Sequence, residues 1–145
     1  MKQIWIINGP NLNFLGIREP EIYGNETLHD LEDYLRKNKD IQFRFLQSNH
    51  EGQLVDWIQE AYFNKVDGIV LNPAAYTHTS IALADAIEAI RPIPVVEVHL
   101  SNIQERENFR KVSLVKAHCL AQIQGKGFQS YQEAIELLIS GISNG

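Results

Sequence analysis

The 145-residue sequence contains a single cysteine, which excludes an internal disulfide. Cys119 falls in the apolar run Ala117 to Ile123, a setting for a buried and inert thiol in a reducing compartment. No stretch approaches the ~20 apolar residues of a membrane span, and the apolar start Ile4 to Ile7 is too short for a signal-peptide core. Both absences point to the cytoplasm. Basic residues are in deficit, 13 against 18 acidic ones for a net charge of −5, which argues against nonspecific nucleic-acid binding but leaves local sites for small anions open. Internal repeats and linkers are missing too, and with 44% hydrophobic residues the whole chain, 1–145, reads as a single domain.

Several catalytic signatures are also missing. There is no Gly-Lys-Ser/Thr phosphate loop and no Gly-x-Ser-x-Gly elbow. The five histidines stand at least nineteen residues apart and His50-Glu51 lacks the second histidine of a zincin, so spacing predicts no metal site. A histidine cluster assembled only in three dimensions stays open. Lys126 is the one lysine near a predicted strand end, a weak candidate for imine chemistry that suits a turn better. Gly125-Lys126-Gly127 has two of the three glycines of a dinucleotide fingerprint, but it follows the last strand and reads as a tight turn into a helix.

What is present is an alternation. Strand-length apolar runs cover Gln3 to Asn8, Ile41 to Phe45, Gly68 to Leu71, Ile93 to Val98 and Ala117 to Gln124. Helical spacing falls between them: Leu28 to Leu35 behind Thr27 as N-cap, Leu54 to Tyr62, Ser80 to Ile90, a short piece from Ile103 to Arg110, and a last helix opening on Ser130. Repeated βαβ units imply a flavodoxin-like α/β three-layer sandwich around a five-stranded parallel sheet. The exception is Gly9 to Glu26, eighteen residues rich in Gly, Asn and Pro without periodicity. A loop of that length inside a compact domain is commonly functional.

Open α/β sheets bind ligands outside the carboxyl ends of their strands. Those ends carry Asn8, Gly9 and Asn11; Ser48, Asn49 and His50; Asn72, with Thr77 and His78 nearby; His99 and Ser101; then Gly125 and Gly127. This edge is polar and nearly uncharged. The first loop has no Ser or Thr after its strand, which argues against flavin phosphate, and Asn8 and Asn72 stand where a phosphate-accepting receiver needs carboxylates. The loop also holds Arg18 and Tyr23. Tyrosine, with a pKa of about 10, is a poor base unless a cation favours its phenolate. An arginine at ~4 Å in an effective dielectric of ~20 contributes about 4 kcal/mol, roughly three pKa units before desolvation. From spacing alone, Arg18 pairing with Glu19 or Glu21 while Tyr23 packs is the more economical arrangement.

A series of blocks in order nevertheless matches something specific. Asn8-Gly9-Pro10-Asn11-Leu12-Asn13-Phe14-Leu15-Gly16, with Arg18-Glu19-Pro20 and Tyr23-Gly24, resembles the opening signature of type II 3-dehydroquinate dehydratases. The similarity runs on through Gln47 to Gly52, Asn72 to Ser80, Glu97 to Asn102, Arg106 to Arg110, and finally Gly125-x-Gly127 with Tyr131. Gln104, Ala84 and the stretch Lys111 to His118 depart from the family's usual pattern.

The resemblance implies removal of water from 3-dehydroquinate to give 3-dehydroshikimate, by anti elimination through an enolate and without cofactor or metal. It casts Tyr23 as the base, Arg18 as the cation favouring its phenolate, His99 as the acid for the leaving hydroxyl and Glu97 as the partner orienting His99. Asn11 would hold a water against the enolate oxygen. Asn72 and His78 would bind ring hydroxyls, the backbone N–H groups of Leu100 and Ser101 the substrate carboxylate, and Arg110 the far hydroxyl. The family forms dodecamers of trimers, so Asp85 would reach a neighbouring subunit's site. The implied setting is the shikimate route of aromatic amino acid biosynthesis, with quinate breakdown the alternative. Two other classes remain: a cofactorless binding module sensing a small hydroxy acid, and an FMN-binding electron carrier.

Overall fold

A computed structural model describes residues 1–18, 20–103 and 112–144, the side chains of Ile22, Tyr23 and 142–144 excepted. Among the described residues, β1 (Lys2–Asn8), β2 (Ile41–Gln47), β3 (Gly68–Asn72), β4 (Val95–His99) and β5 (Ala121–Gln124) form one all-parallel sheet in the order β2-β1-β3-β4-β5. Helices α2 (Leu28–Leu35), α3 (Glu51–Phe63), α4 (Ile81–Ala89) and α5 (Phe128–Asn144) cover both sides, and the single turn α1 (Pro20–Tyr23) lies in the first loop. The expected flavodoxin-like sandwich is what the chain forms. Its strand order places the topological switch between β1 and β3, where crossovers leave in opposite directions and open a crevice.

Alternation along the strands divides the interior into two cores. Trp5, Ile7, Ile69, Leu71 and Val95 face α3 and α4, meeting Leu54, Ile58, Leu83 and Ile87. Ile4, Ile6, Val70, Val96 and Val98 face α2 and α5, meeting Leu31, Leu35, Tyr131, Ile135 and Leu138. Extending the same alternation to the strand ends puts Asn8 and Asn72 on the α5 side, and Glu97 and His99 on the α3/α4 side.

Most elements fall where periodicity puts them. Thr27 caps α2 as expected: its hydroxyl accepts from Asp30 N at 3.1 Å and the Asp30 carboxylate accepts from Thr27 N at 2.9 Å. Those hydrogen bonds, the backbone one first, hold the Asp30 carboxyl below its ordinary pKa.

Three expectations need correction. The fifth strand starts at Ala121, because Lys116–His118 winds into a 3₁₀ turn and Val115 drops into the core. The last helix starts two residues before Ser130, whose hydroxyl accepts the Lys126 N–H at 3.1 Å from inside the first turn. The first loop is not wholly irregular: it contains the 3₁₀ turn Leu12–Phe14 as well as α1. The helical piece expected over Ile103 to Arg110 falls, apart from Ile103, outside the described residues.

At the switch point the loops cross closely. Gly9 N donates to Asn72 O at 2.7 Å, and a Cβ on Gly9 would lie 2.7 Å from the Pro73 carbonyl oxygen. A backbone atom cannot swing aside as a side-chain tip can, so the contact selects glycine. Gly9→Ala is expected to lower stability by about 1–3 kcal/mol, the usual cost of overpacking, read as a reduced urea midpoint with an unchanged slope.

Candidate active site

Three polar clusters occupy the carboxyl edge of the sheet. The first centres on Glu97, which is 0% exposed in a strand of three valines that ends on His99. A buried carboxylate is tolerated only with its lone pairs satisfied. Residues two apart on a strand share a face, so His99 reaches back and its Nε2 lies 2.6 Å from Glu97 Oε2. Thr77, on the 3₁₀ turn Ala74–His78 after β3, donates from Oγ1 to Oε2 at 2.5 Å. Ser113 Oγ lies 2.8 Å from Oε1 and 3.0 Å from Oε2, and 3.0 Å from Thr77 Oγ1.

Burial is the largest influence on Glu97 and pushes its pKa up. The hydrogen bond and charge of His99, then the hydrogen bonds of Thr77 and Ser113, outweigh it and leave the carboxyl below its ordinary value. An ionised Glu97 accepts only, which places a proton on His99 Nε2 and leaves Nδ1 as the ring's other nitrogen.

The second cluster lies on the α5 side. Tyr131, 0% exposed, donates its hydroxyl to Asn8 Oδ1 at 2.6 Å and accepts from Asn72 Nδ2 at 2.9 Å. Asn8 and Asn72 are register partners across β1 and β3, so one phenol bridges both strand ends at the switch point. Burial drives the Tyr131 hydroxyl well above the usual tyrosine pKa, keeping it neutral. Asn72 Oδ1 also accepts the Ala74 N–H at 3.0 Å, helping to hold Ala74 at φ 52°, in the left-handed region.

The third cluster shapes the first loop. Asn11, at φ 69°, donates its N–H to Asn49 Oδ1 at 2.9 Å. Gln47 Nε2 contacts Gly9 O, Asn49 Oδ1 and Asn13 Oδ1 at 3.2–3.4 Å, and Tyr76 donates its hydroxyl to Asn49 O at 2.9 Å. The residue ending β2 thereby ties down the loop leaving β1.

The remaining expected site residues are placed as follows. Arg18 is exposed in the first loop, its N–H on Phe14 O at 3.0 Å. His78 Nδ1 lies 2.6 Å from Val112 O. Leu100 and Ser101 form the bend after β4, steadied by Gly125 N on His99 O and Gly127 N on Leu100 O. The Gly125–Gly127 stretch is thus the tight turn expected of it, and Lys126 pairs with Glu133 at 2.9 Å. Asp85 is exposed on α4. Arg110 and the side chain of Tyr23 lie outside the described residues.

Cys119, half-buried, has its thiol pushed up to about 12, first by burial and then by the Glu97 charge, as its expected inertness requires. No group of three His, Cys, Asp or Glu side chains able to hold a metal occurs among the described residues. Nor is any described helix long and apolar enough to cross a membrane.

Thr77, Ser113 and Tyr131 acquire roles that the sequence alone did not give them. A usable signal existed. A lone acid in a valine strand needs several donors, and one imidazole supplies only one.

A doubly wound α/β domain with a buried carboxylate–imidazole pair at a strand end has the layout of an α/β enzyme. The chain matches the family Dehydroquinase class II over residues 2–139 and belongs to it. It is 54% identical to the 3-dehydroquinate dehydratase of Fusobacterium nucleatum, over 94% of this chain and 96% of that one. Identity to the 3-dehydroquinate dehydratase of Caldicellulosiruptor bescii is 51%, over 95% and 97%. The crystal structure of the type II dehydroquinase from Butyrivibrio crossotus superposes with a TM-score of 0.91 at 51% identity, covering 94% of this chain and 97% of that one.

Two stability predictions follow from the clusters. Tyr131→Phe leaves a buried oxygen of Asn8 and a buried N–H of Asn72 unpartnered and should cost about 1–3 kcal/mol, measured by chemical denaturation. Because the folded-state pKa of Glu97 is depressed, its stabilisation is present above the unfolded carboxylate value and is lost as pH falls through the folded one. The difference in melting temperature between wild type and Glu97→Gln should therefore narrow on acidification below the ordinary carboxylate range; a constant difference would contradict it.

Proposed function

We propose that this chain is a type II 3-dehydroquinate dehydratase, converting 3-dehydroquinate to 3-dehydroshikimate and water by anti elimination through an enolate. The observation that carries the reading is the buried Glu97–His99 pair at the end of β4, in a chain belonging to the class II dehydroquinase family.

In the proposed reaction the Tyr23 phenolate, favoured by Arg18, takes the proton α to the ketone. The electron pair moves onto the ketone oxygen, beside a water held by Asn11. On collapse of the enolate the hydroxyl β to the carbonyl departs, taking a proton from His99 and leaving as water. Atoms and charge balance with no cofactor: one C–H and one C–O bond break, a C=C bond forms, and the two protein groups end with protonation states exchanged. Glu97 supports His99 in this role by fixing the proton on Nε2, so that Nδ1 is the donor.

Asn72 fits a contact to a ring hydroxyl through its second Nδ2 hydrogen, its other polar positions being taken by Ala74 and Tyr131. His78 would serve a second hydroxyl and Arg110 a third. The Leu100 and Ser101 N–H groups would receive the carboxylate, on a bend already pinned by Gly125 and Gly127. Asp85, exposed on α4, would act in the site of a neighbouring subunit within a dodecamer of trimers in the cytoplasm.

Mixing the protein with 3-dehydroquinate should produce growing enone absorbance, unaffected by pretreatment with borohydride and substrate. Tyr23→Phe should abolish turnover while the circular dichroism spectrum is retained, and Arg18→Ala should slow it. Substrate binding without enone formation by the wild type would overturn the enzyme reading in favour of a binding module.

A further inference from the structure

His99 needs a carboxylate, and the carboxylate needs more than His99. We infer that Thr77 and Ser113 are positioning residues for the proton-transfer step, two hydroxyls that hold Glu97 as an anion in one orientation so that His99 presents a proton at Nδ1. The inference rests on the proposed role of His99 as acid and extends it to the groups behind its partner.

The geometry carries the argument. Glu97 Oε2 faces three donors: His99 Nε2 at 2.6 Å, Thr77 Oγ1 at 2.5 Å and Ser113 Oγ at 3.0 Å; Oε1 faces Ser113 at 2.8 Å. The contacts arrive from three places in the chain: β4 itself, the 3₁₀ turn after β3, and the segment before the 3₁₀ turn Lys116–His118. The hydroxyls are 3.0 Å from each other. Thr77 is 0% exposed, so no water replaces its hydroxyl without rearrangement.

Backbone bonds fix both donors independently of the carboxylate. Leu114 N donates to Thr77 O at 2.7 Å, clamping the two segments together, and Lys116 N donates to Ser113 Oγ at 3.1 Å. Because that Oγ already accepts from Lys116, its own hydrogen is free to point at the carboxylate. The same clamp places His78, whose Nδ1 lies 2.6 Å from Val112 O.

Carboxylate lone pairs left without donors would raise the basicity of Glu97 and let it compete for the shared proton. With both hydroxyls in place the anion is satisfied without taking a proton, and the imidazole keeps two N–H groups until Nδ1 discharges one. A further titratable side chain near Glu97 is Cys119, whose thiol is raised by burial and by the Glu97 charge and stays neutral. Gln122, the register partner of Glu97 on β5, is uncharged, as is Leu71 on β3.

The test uses the titration of the Glu97 carboxyl by ¹³C NMR in glutamate-labelled protein, assigned through Glu97→Gln, together with the separate values of kcat and KM. Thr77→Val and Ser113→Ala are each expected to move the ¹³C transition upward by about one pKa unit, the magnitude of a hydrogen bond to a charged group. kcat should fall about tenfold with KM little changed. Thr77→Ser, which restores the hydroxyl without the methyl, should return the transition and kcat to their wild-type values. Folded variants with an unmoved ¹³C transition would overturn the inference, as would failure of Thr77→Ser to rescue. Should Thr77→Val not fold, Ser113→Ala decides. If His99→Ala keeps the wild-type rate, the assignment of the acid fails instead, and the carboxyl titration still decides what the hydroxyls do.

Discussion

A carboxylate withdrawn from water inside an apolar sheet imposes its demands on everything around it. Uncompensated, the charge of Glu97 would cost several kcal/mol. It is compensated by the imidazole two residues along its own strand and by hydroxyls from two other segments. Those contacts tie the turn after β3 and Ser113 to one carboxylate, whose charge adds to burial in keeping the neighbouring thiol protonated. As a source of stability the pair counts for little, since a buried charge pair seldom outperforms packed hydrocarbon.

The site draws on both faces of the sheet. Alternation sends Glu97 and His99 toward α3 and α4, while Asn8 and Asn72 turn toward α5 and share the phenol of Tyr131. At the switch point the first loop leaves β1 beside the end of β3, where Gly9 N donates to Asn72 O. That loop is held by amides from β2 and the turn after it, Gln47 and Asn49, rather than by apolar burial. Hydrogen bonds fix direction more sharply than hydrophobic contact does. Such a loop can be placed accurately and still be shaped largely by polar groups.

Period-two and period-3.6 patterns are strong in this chain, so the order of strands and helices was legible before any coordinates. They fail where local polar bonding competes with periodicity. Ala117 and His118 look like strand but wind into the 3₁₀ turn Lys116–His118, because Ser113 accepts the Lys116 N–H and Val115 is drawn into the core. Ser130 has the spacing of a cap but serves from inside the helix, because the turn at Gly125 and Gly127 starts it earlier. At the site, strand-end positions marked Asn72 and His99 as candidates, and the resemblance added Glu97 as the partner of His99. Thr77, Ser113 and Tyr131 make their contacts 16 to 123 residues from their partners, and no local pattern encodes such a meeting. The resemblance to a family supplied Tyr23, Arg18 and Asp85, which spacing alone would have left as ordinary packing and surface residues.

Tyr131 and Asn8 meet across 123 residues of sequence. Their hydrogen bond closes nearly the longest loop the chain can make, and loop closure must precede the contacts that reward it. The floor of the crevice can therefore form only when β1 and α5 are both docked on the sheet. A chain halted before α5 could pair β1 with β2 and β3 and bury one of its two cores, yet it would lack the phenol that aligns the two asparagines. The α3/α4 core draws on segments that all precede the last helix, whereas the alignment of the two asparagines depends on it.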